Sequence, residues 1–326
     1  RNGARLISKG PVASLSMADH RIALWLLLTI PSWSGLHGSV RAQEEAAGAL
    51  VQMERGELPI ILSAPHDGNR GMPDLQPRTG RGLVAQPGGF VTARDTGTAP
   101  LAEWLFQGLE KRFGRKPYLV INRLHRKYMD PNRAPNEAYE QDASKRIYEQ
   151  YHEFLDQACR EVKDKYHAGL LLDIHGQGSR ADTVFRGTKD GLTVQLLRER
   201  FGESSHGGDE SFLAMLRRRQ FTVHPDPHDG SEQAGFTGGF IVRNYGSHSM
   251  YGIDAMQLEF GNLYRVAENR ESASAVLTDA VAEYAAKYLK LESEKHEMVT
   301  FQPKVAVQPK AEAKAKTPRG SAAIVP

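Results

Sequence analysis

Apolar positions along the chain fall into two recurring patterns. Short continuous runs stand at 58–64 (LPIILSA), 118–121 (YLVI), 170–172 (LLL) and 253–260 (IDAMQLEF), each closed by glycine or polar residues. Runs of that length, bounded in that way, predict strands buried on both faces of a sheet. Longer stretches with helical spacing lie between them. Residues 98–113 carry Leu101, Trp104, Leu105, Leu109 and Phe113 on one stripe. Residues 136–166 read as one long helix, with Tyr139, Ile147, Tyr151, Phe154, Ala158 and Val162 facing inward. Further helices are predicted at 192–201, 211–219 and 273–289, and shorter strands at 183–186 and 221–224. GFTGGFIVRNY at 235–245 reads as a glycine-flanked strand or loop. Alternating strand and helix patterns predict an α/β fold, with a mixed, largely parallel central sheet and helices on both faces. One domain over 58–291 accounts for all of them.

The flanks differ. Residues 43–57 form a polar lead-in, and 69–89 is a long loop rich in Gly, Pro and Arg. From 292 onward Lys, Pro, Ala and Glu dominate with little periodicity, which predicts a disordered tail. Met17-Ala-Asp-His-Arg21 precedes an apolar run of nine residues at 22–30, and a Pro/Ser/Gly stretch ends Val40-Arg41-Ala42. That is the layout of a secretory signal peptide with Ala42 at the cleavage position; the other reading is the start of a buried helix. The sixteen residues before Met17 read as an upstream extension. The apolar run is too short to span a bilayer as a helix. The expectation is an exported protein, periplasmic or extracellular, without a membrane span.

Composition adds little and excludes something. The formal net charge of 326 residues is only +3, and part of it sits in the lysine-bearing tail, so nothing points to nucleic acid. The single cysteine, Cys159, lies within a helical pattern. It forms no internal disulfide, belongs to no zinc-finger spacing, and reads as a small buried hydrophobe. No pattern specifies an oligomer.

Chemistry gathers where the runs end. GLLLDIHGQG at 169–178 is a strand that delivers Asp173 and His175 to its carboxyl end, the place where ligands sit in open α/β sheets. His66 follows the run at 58–64, and Glu259 closes the run at 253–260. Each has an ordinary reading alone: a satisfied histidine at a strand end, or a carboxylate in a buried ion pair. Together they suit a hydrolytic zinc site, because zinc takes neutral imidazole and carboxylate and leaves a position for water. The metal acidifies that water, and a nearby glutamate can take its proton. A fourth segment, RKYMDPNR at 126–133, packs cations and hydrogen-bonding groups just after a strand.

These segments together resemble the N-formylglutamate amidohydrolase family, which is similar in fold to the zinc carboxypeptidases and the aspartoacylase-type enzymes. The matching pieces are SAPHDG at 63–68, RDTG at 94–97, HRKYMDPNR at 125–133, DIH at 173–175, GGFIVRNYG at 238–246 and QLEFGNLY at 257–264, in family order. The resemblance implies a hydrolase-like, zinc carboxypeptidase-like sheet and a bound Zn2+ with His66 and His175 as ligands. The wider superfamily takes its third ligand three residues after the first histidine, where this chain has Asn69. Asp95 is the candidate in its place, with a helix-start cap as its other reading, and Asp67 is the alternative ligand. Asp173 would orient His175 or a neighbour. Glu259 matches the general base, and Arg126 would help polarise the carbonyl. Asn132 and Arg133 would grip a substrate carboxylate, Arg243 is a second candidate clamp, and Tyr264 would line the pocket. The implied activity is hydrolysis of an amide in an N-acyl (N-formyl included) amino acid or a peptide, the substrate carrying a free carboxylate. The rival is a non-catalytic carboxylate-binding protein that keeps the fold without a competent metal site, with Asn69 as its support.

Overall fold

The computed structural model describes residues 50–84, 90–228, 230–293 and 297–306. The upstream extension and signal-like segment, most of the lead-in, part of the 69–89 loop and the end of the tail lie outside the described residues.

Seven strands form one sheet: β1 (Val51–Glu54), β2 (Ile60–Ala64), β3 (Tyr118–Asn122), β4 (Leu170–Gly176), β5 (Thr183–Gly187), β6 (Thr222–His224) and β7 (Asp254–Phe260), in the order β1-β3-β2-β4-β7-β5-β6. β3, β2, β4 and β7 run parallel at its centre. β1 is antiparallel to β3, and β5 is antiparallel to β7 with β6 parallel beside it. The mixed, largely parallel sheet with helices on both faces is the architecture expected from the alternating runs. Its central strands are continuous apolar runs because both faces are covered. Ile60, Leu62, Leu170 and Leu172 face one core with α1 (Thr98–Phe113) and α8 (Ala267–Tyr288). Ile61, Val120, Leu171 and Ala255 face the other with α3 (Asp142–Tyr166) and α6 (Phe240–Tyr245).

Several local readings are corrected. The stretch at 136–166 is two helices, α2 (Pro135–Ala138) and α3, because Tyr139 and Gln141 are extended. Between them, Glu140 turns its carboxylate to the backbone N–H groups of Thr79 and Gly80. The segment at 235–245 is neither strand nor loop at its end, since 240–245 is helix α6 with Ile241, Val242 and Tyr245 buried. Residues 192–201 begin as a 3-10 turn, Leu192–Val194, before α4 (Gln195–Phe201). α5 (Phe212–Arg218) is capped by Ser211, whose side chain accepts from the Ala214 N–H. The last helix begins at Ala267 rather than 273, after the short α7 (Asn262–Arg265). β1 lies in the polar lead-in. An edge strand with a single fully buried residue, Val51, leaves no apolar run to find. The segment 297–306 packs on the domain: Phe301 is buried against Phe221 and Tyr264, and its N–H donates to the Arg219 carbonyl. Among the described residues no helix is long and apolar enough to cross a membrane.

Candidate metal centre and cleft

Strand register builds the centre. β2 and β4 pair Ser63 with Asp173, and β4 and β7 pair Asp173 with Gln257 and His175 with Glu259. Side chains alternate along a strand, so these residues share one face at the carboxyl end of the sheet. His175 Nδ1 therefore lies 4.0 Å from Glu259 Oε1. His66 enters from the turn just after β2. Asp95 enters from the turn before α1, its N–H donating to the His66 carbonyl at 3.1 Å.

Asp95 Oδ2 lies 3.2 Å from His66 Nδ1 and 3.3 Å from His175 Nδ1. The donor atoms of the three residues fall within 4.8 Å of one another, a group that could hold a metal ion. The far ring nitrogens are also engaged. His66 Nε2 lies 2.7 Å from Asp130 Oδ1, and His175 Nε2 lies 2.8 Å from Asp173 Oδ2. A carboxylate on one ring nitrogen keeps the proton there and frees the other lone pair for a metal. Asp130 is itself held by Arg126 Nε at 2.9 Å and the Asn132 N–H at 3.0 Å. Asp173 accepts from Ser63 Oγ at 2.7 Å, and Ser63 Oγ meets the Tyr151 hydroxyl at 2.8 Å. Two imidazole nitrogens, one carboxylate and carboxylates behind both rings make a donor set that suits zinc.

The electrostatics are those of a site short of positive charge. Asp95, Asp130, Asp173 and Glu259 are all buried, with Arg126 packed against Asp95 and Asp130 and the buried Arg265 guanidinium near Asp95 and Glu259. Burial works against ionised Asp95, but His66 and His175 outweigh it and hold the carboxyl well below its usual range. Burial works against Asp130 in the same way, and Arg126 and His66 hold it well below. Burial disfavours an imidazolium at His175, yet Asp173, Asp95 and Glu259 push it well above its usual range. Glu259 is raised by burial, and by Asp95, against the pull of His175. A divalent cation beside these carboxylates would offset the same deficit.

A cleft of about 550 Å³ opens onto this group and is lined by His66, Asp95, His175 and Glu259 at its floor. Arg126, Asn132, Arg133 and Arg243 also line it, but their side chains are engaged differently. Arg126 is braced by Asp130 and lies 3.6 Å from Asp95 through Nη1. The Asn132 amide is occupied within the protein: Oδ1 accepts from the Ile241 N–H at 2.8 Å, and Nδ2 donates to Gln257 Oε1 at 3.2 Å. Position 239 must be glycine here, since a Cβ would lie 2.2 Å from Asn132 Nδ2. Arg133 donates to the Asn132 carbonyl, and Arg243 Nε donates to the Gly239 carbonyl at 3.0 Å. Tyr264 is placed elsewhere: its ring packs with Phe221 and Phe301, and its hydroxyl donates to the Asp182 carbonyl at 2.6 Å. Asp67 is turned away from the histidines. It accepts from the Gly97 and Ala99 N–H groups at the start of α1 and pairs with Arg94. Asn69 is exposed and outside the group. A larger cavity of about 660 Å³ beside the end of α8 holds Arg112, Arg219, Asp279 and Glu283. Its charges pair with one another, so it offers no comparable chemistry.

Three residues with no assigned role in the sequence reading support the centre. Asp130 holds His66; its spacing of four from Arg126 in RKYMD was the available signal. Gln257 donates to Glu259 Oε1 at 2.7 Å while accepting from Asn132 and the Gly239 N–H. Arg265, buried behind Gly176, donates to the carbonyls of Phe260, Gln177 and Thr96. Those carbonyls follow Glu259, His175 and Asp95 by one or two residues, so one guanidinium ties all three segments together.

No family model matches the chain, and no curated protein matches it. Among solved structures, the chain is similar to N-formylglutamate amidohydrolase from Ralstonia eutropha JMP134, at 17% identity and a TM-score of 0.49 over 74% of this chain and 98% of that one. It is also similar to a gene product of Agrobacterium tumefaciens, at 18% identity and a TM-score of 0.45 over 76% of this chain and 97% of that one.

Proposed function

We propose that this chain is a zinc-dependent amidohydrolase. Its substrate is an N-acyl amino acid (N-formyl among the acyl groups) or a peptide, with a free carboxylate near the scissile amide. The observation that carries the reading is the convergence of His66 Nδ1, His175 Nδ1 and Asp95 Oδ2 at the floor of the cleft, with Glu259 beside them. His66, His175 and Asp95 would hold the zinc, which when bound would supply polarisation of a carbonyl and a water acidified to a pKa of roughly 7.

The protein's own groups do the rest. Glu259 takes a proton from the attacking water and returns it to the leaving amine, so the amide C–N bond breaks to a carboxylate and an amine. Gln257 fixes one of its carboxylate oxygens and leaves the other for this task. Arg126, committed to Asp130, contributes positive potential to the developing oxyanion. Basic groups in the cleft favour the substrate carboxylate. The signal-like segment at 17–42 supports an exported enzyme.

The test is metal content and turnover together. Purified protein loaded with zinc and desalted should retain about one ion per chain. It should hydrolyse members of a panel of N-formyl and N-acetyl amino acids, lose the activity to a chelator, and regain it with zinc. Protein that retains no metal after loading and hydrolyses none of the panel would overturn the reading in favour of a non-catalytic binder.

A further inference from the structure

The chain leaves β5 through three successive left-handed residues, Lys189 at φ 52°, Asp190 at φ 52° and Gly191 at φ 92°. Glycine adopts this region freely, whereas lysine and aspartate do so at a cost. Such a run persists where its surroundings over-determine it, and the determinant here is Glu232. Its side chain is buried, and its two oxygens accept from the Thr188 N–H at 2.8 and 2.9 Å. It also accepts from the Asp190 N–H at 3.1 Å, from the Thr188 hydroxyl and from Arg186 Nε at 3.4 Å. The Glu232 N–H donates back to Asp190 Oδ1 at 3.4 Å. His206 completes the network: burial, then Arg186, pushes its pKa down to about 3. It is therefore neutral, and since the Thr188 hydroxyl gives its proton to Glu232, the 2.8 Å contact between His206 Nε2 and Thr188 Oγ1 has the imidazole as donor. None of these residues belongs to the metal centre.

The result is a fixed lysine in the cleft wall. Lys189 is half-buried and lines the cleft. Its backbone N–H donates to the Thr237 carbonyl at 2.8 Å, and its ammonium donates to Thr237 Oγ1 at 3.1 Å. Gly187 allows this contact, since a Cβ there would lie 2.4 Å from the Gly238 nitrogen. Two residues along the same turn, the Gly239 carbonyl accepts from Arg243 Nε. Lys189 and Arg243 thus flank the turn at 237–239, and among the described residues neither has a carboxylate partner. An ammonium has three donors, so Lys189 keeps donors for a ligand after bonding Thr237. By contrast, Arg126 faces Asp130 and Asp95, and the Asn132 amide is occupied.

We propose that Lys189 is a specificity-determining residue that binds the substrate carboxylate together with Arg243, and that Glu232 is the positioning residue that holds Lys189 in place. The proposal rests on the amidohydrolase reading and assigns that reading's carboxylate clamp. It is tested with N-acetyl amino acids and their C-terminal amides, which differ only in the charge at issue. Lys189→Met should raise KM for the acids about tenfold, leave kcat within about twofold, and leave KM for the amides unchanged. Glu232→Gln should move the same ratio in the same direction, and Lys189→Arg should restore most of it. Because Glu232→Gln alters a buried network and can lower folding, Lys189→Met decides the outcome. A KM that moves equally for acid and amide, or for neither, overturns the proposal. If zinc-loaded wild type hydrolyses none of these compounds, the amidohydrolase reading fails, and calorimetric titration with the acids reads the clamp directly. Weaker binding by Lys189→Met supports it; equal binding, or none by wild type, overturns it.

Discussion

His66 Nε2 lies 2.7 Å from Asp130 Oδ1, and that contact decides which side of the ring is left for a metal. The carboxylate keeps the proton on Nε2 and makes Nδ1 the more basic donor. Asp130→Asn retains an acceptor oxygen but loses the charge. Zinc affinity should fall about ten- to a hundredfold, read by competition with a chromogenic chelator. Arg126 loses the nearer of its two carboxylates in the same variant, so some loss of stability is expected, and the titration is made well below the melting temperature. An unchanged affinity would remove Asp130 from the centre.

Glu259→Gln separates the base from the ligands. The amide keeps the length of the side chain and can still accept from Gln257 Nε2, so the fold and the three metal donors are preserved. It cannot carry the proton. Turnover should drop by about 10² to 10⁴ while bound zinc, measured by atomic absorption, stays at the wild-type level. Near-normal rates would sink the role given to Glu259.

Arg265 predicts a loss felt at three segments together. Its N–H groups hold the carbonyls after Glu259, His175 and Asp95. Arg265→Met removes the guanidinium donor from all three carbonyls and leaves the Phe260 carbonyl only the Gln177 N–H, which should cost about 1 to 3 kcal/mol of stability and weaken zinc binding although no ligand is changed. Urea unfolding and the chelator competition measure the two effects. A variant that is less stable but binds zinc normally would make Arg265 a fold residue alone.

What was legible in the sequence follows from range. His175 stood out because it closes an apolar run, and His66 and Glu259 because they end others. The pairing of His175 with Glu259 depends on the register of β4 and β7, which no local pattern encodes. Asp130 serves His66 from 64 positions away, and Arg265 serves Thr96 from 169, so neither leaves a local trace. Tyr264 matched a motif near the site, yet its ring belongs to the core that Phe301 completes, and Phe301 sits in a tail whose composition reads as disordered. The helix α6 was hidden for another reason. Six residues between glycines span less than two turns, too few to separate a helical period from a strand.

Asp254 gives the fold a pH dependence that is separable from the site. At the start of β7 its carboxyl is buried, and burial outweighs the hydrogen bonds from Ser247 and the Leu197 N–H, pushing its pKa up to about 6. The unfolded chain ionises near the ordinary aspartate value of 3.8. Between these values the folded state binds more protons, so stability falls as pH rises, and the penalty is complete above the folded pKa. The shift corresponds to about 3 kcal/mol. His152 and His206 act with the opposite sign. Burial pushes them down to about 4 and about 3, so their neutral forms stabilise the fold at neutral pH and that contribution fades as pH falls below 6.5. The wild-type curve mixes these effects, and its difference from Asp254→Asn isolates one. The amide keeps an acceptor for Leu197 without the charge, so the variant should be more stable than wild type at about pH 7.5, and the gap should close by about pH 3.5. Urea unfolding of both proteins across that range measures the gap. A gap constant with pH would mean that Asp254 is not the buried acid described.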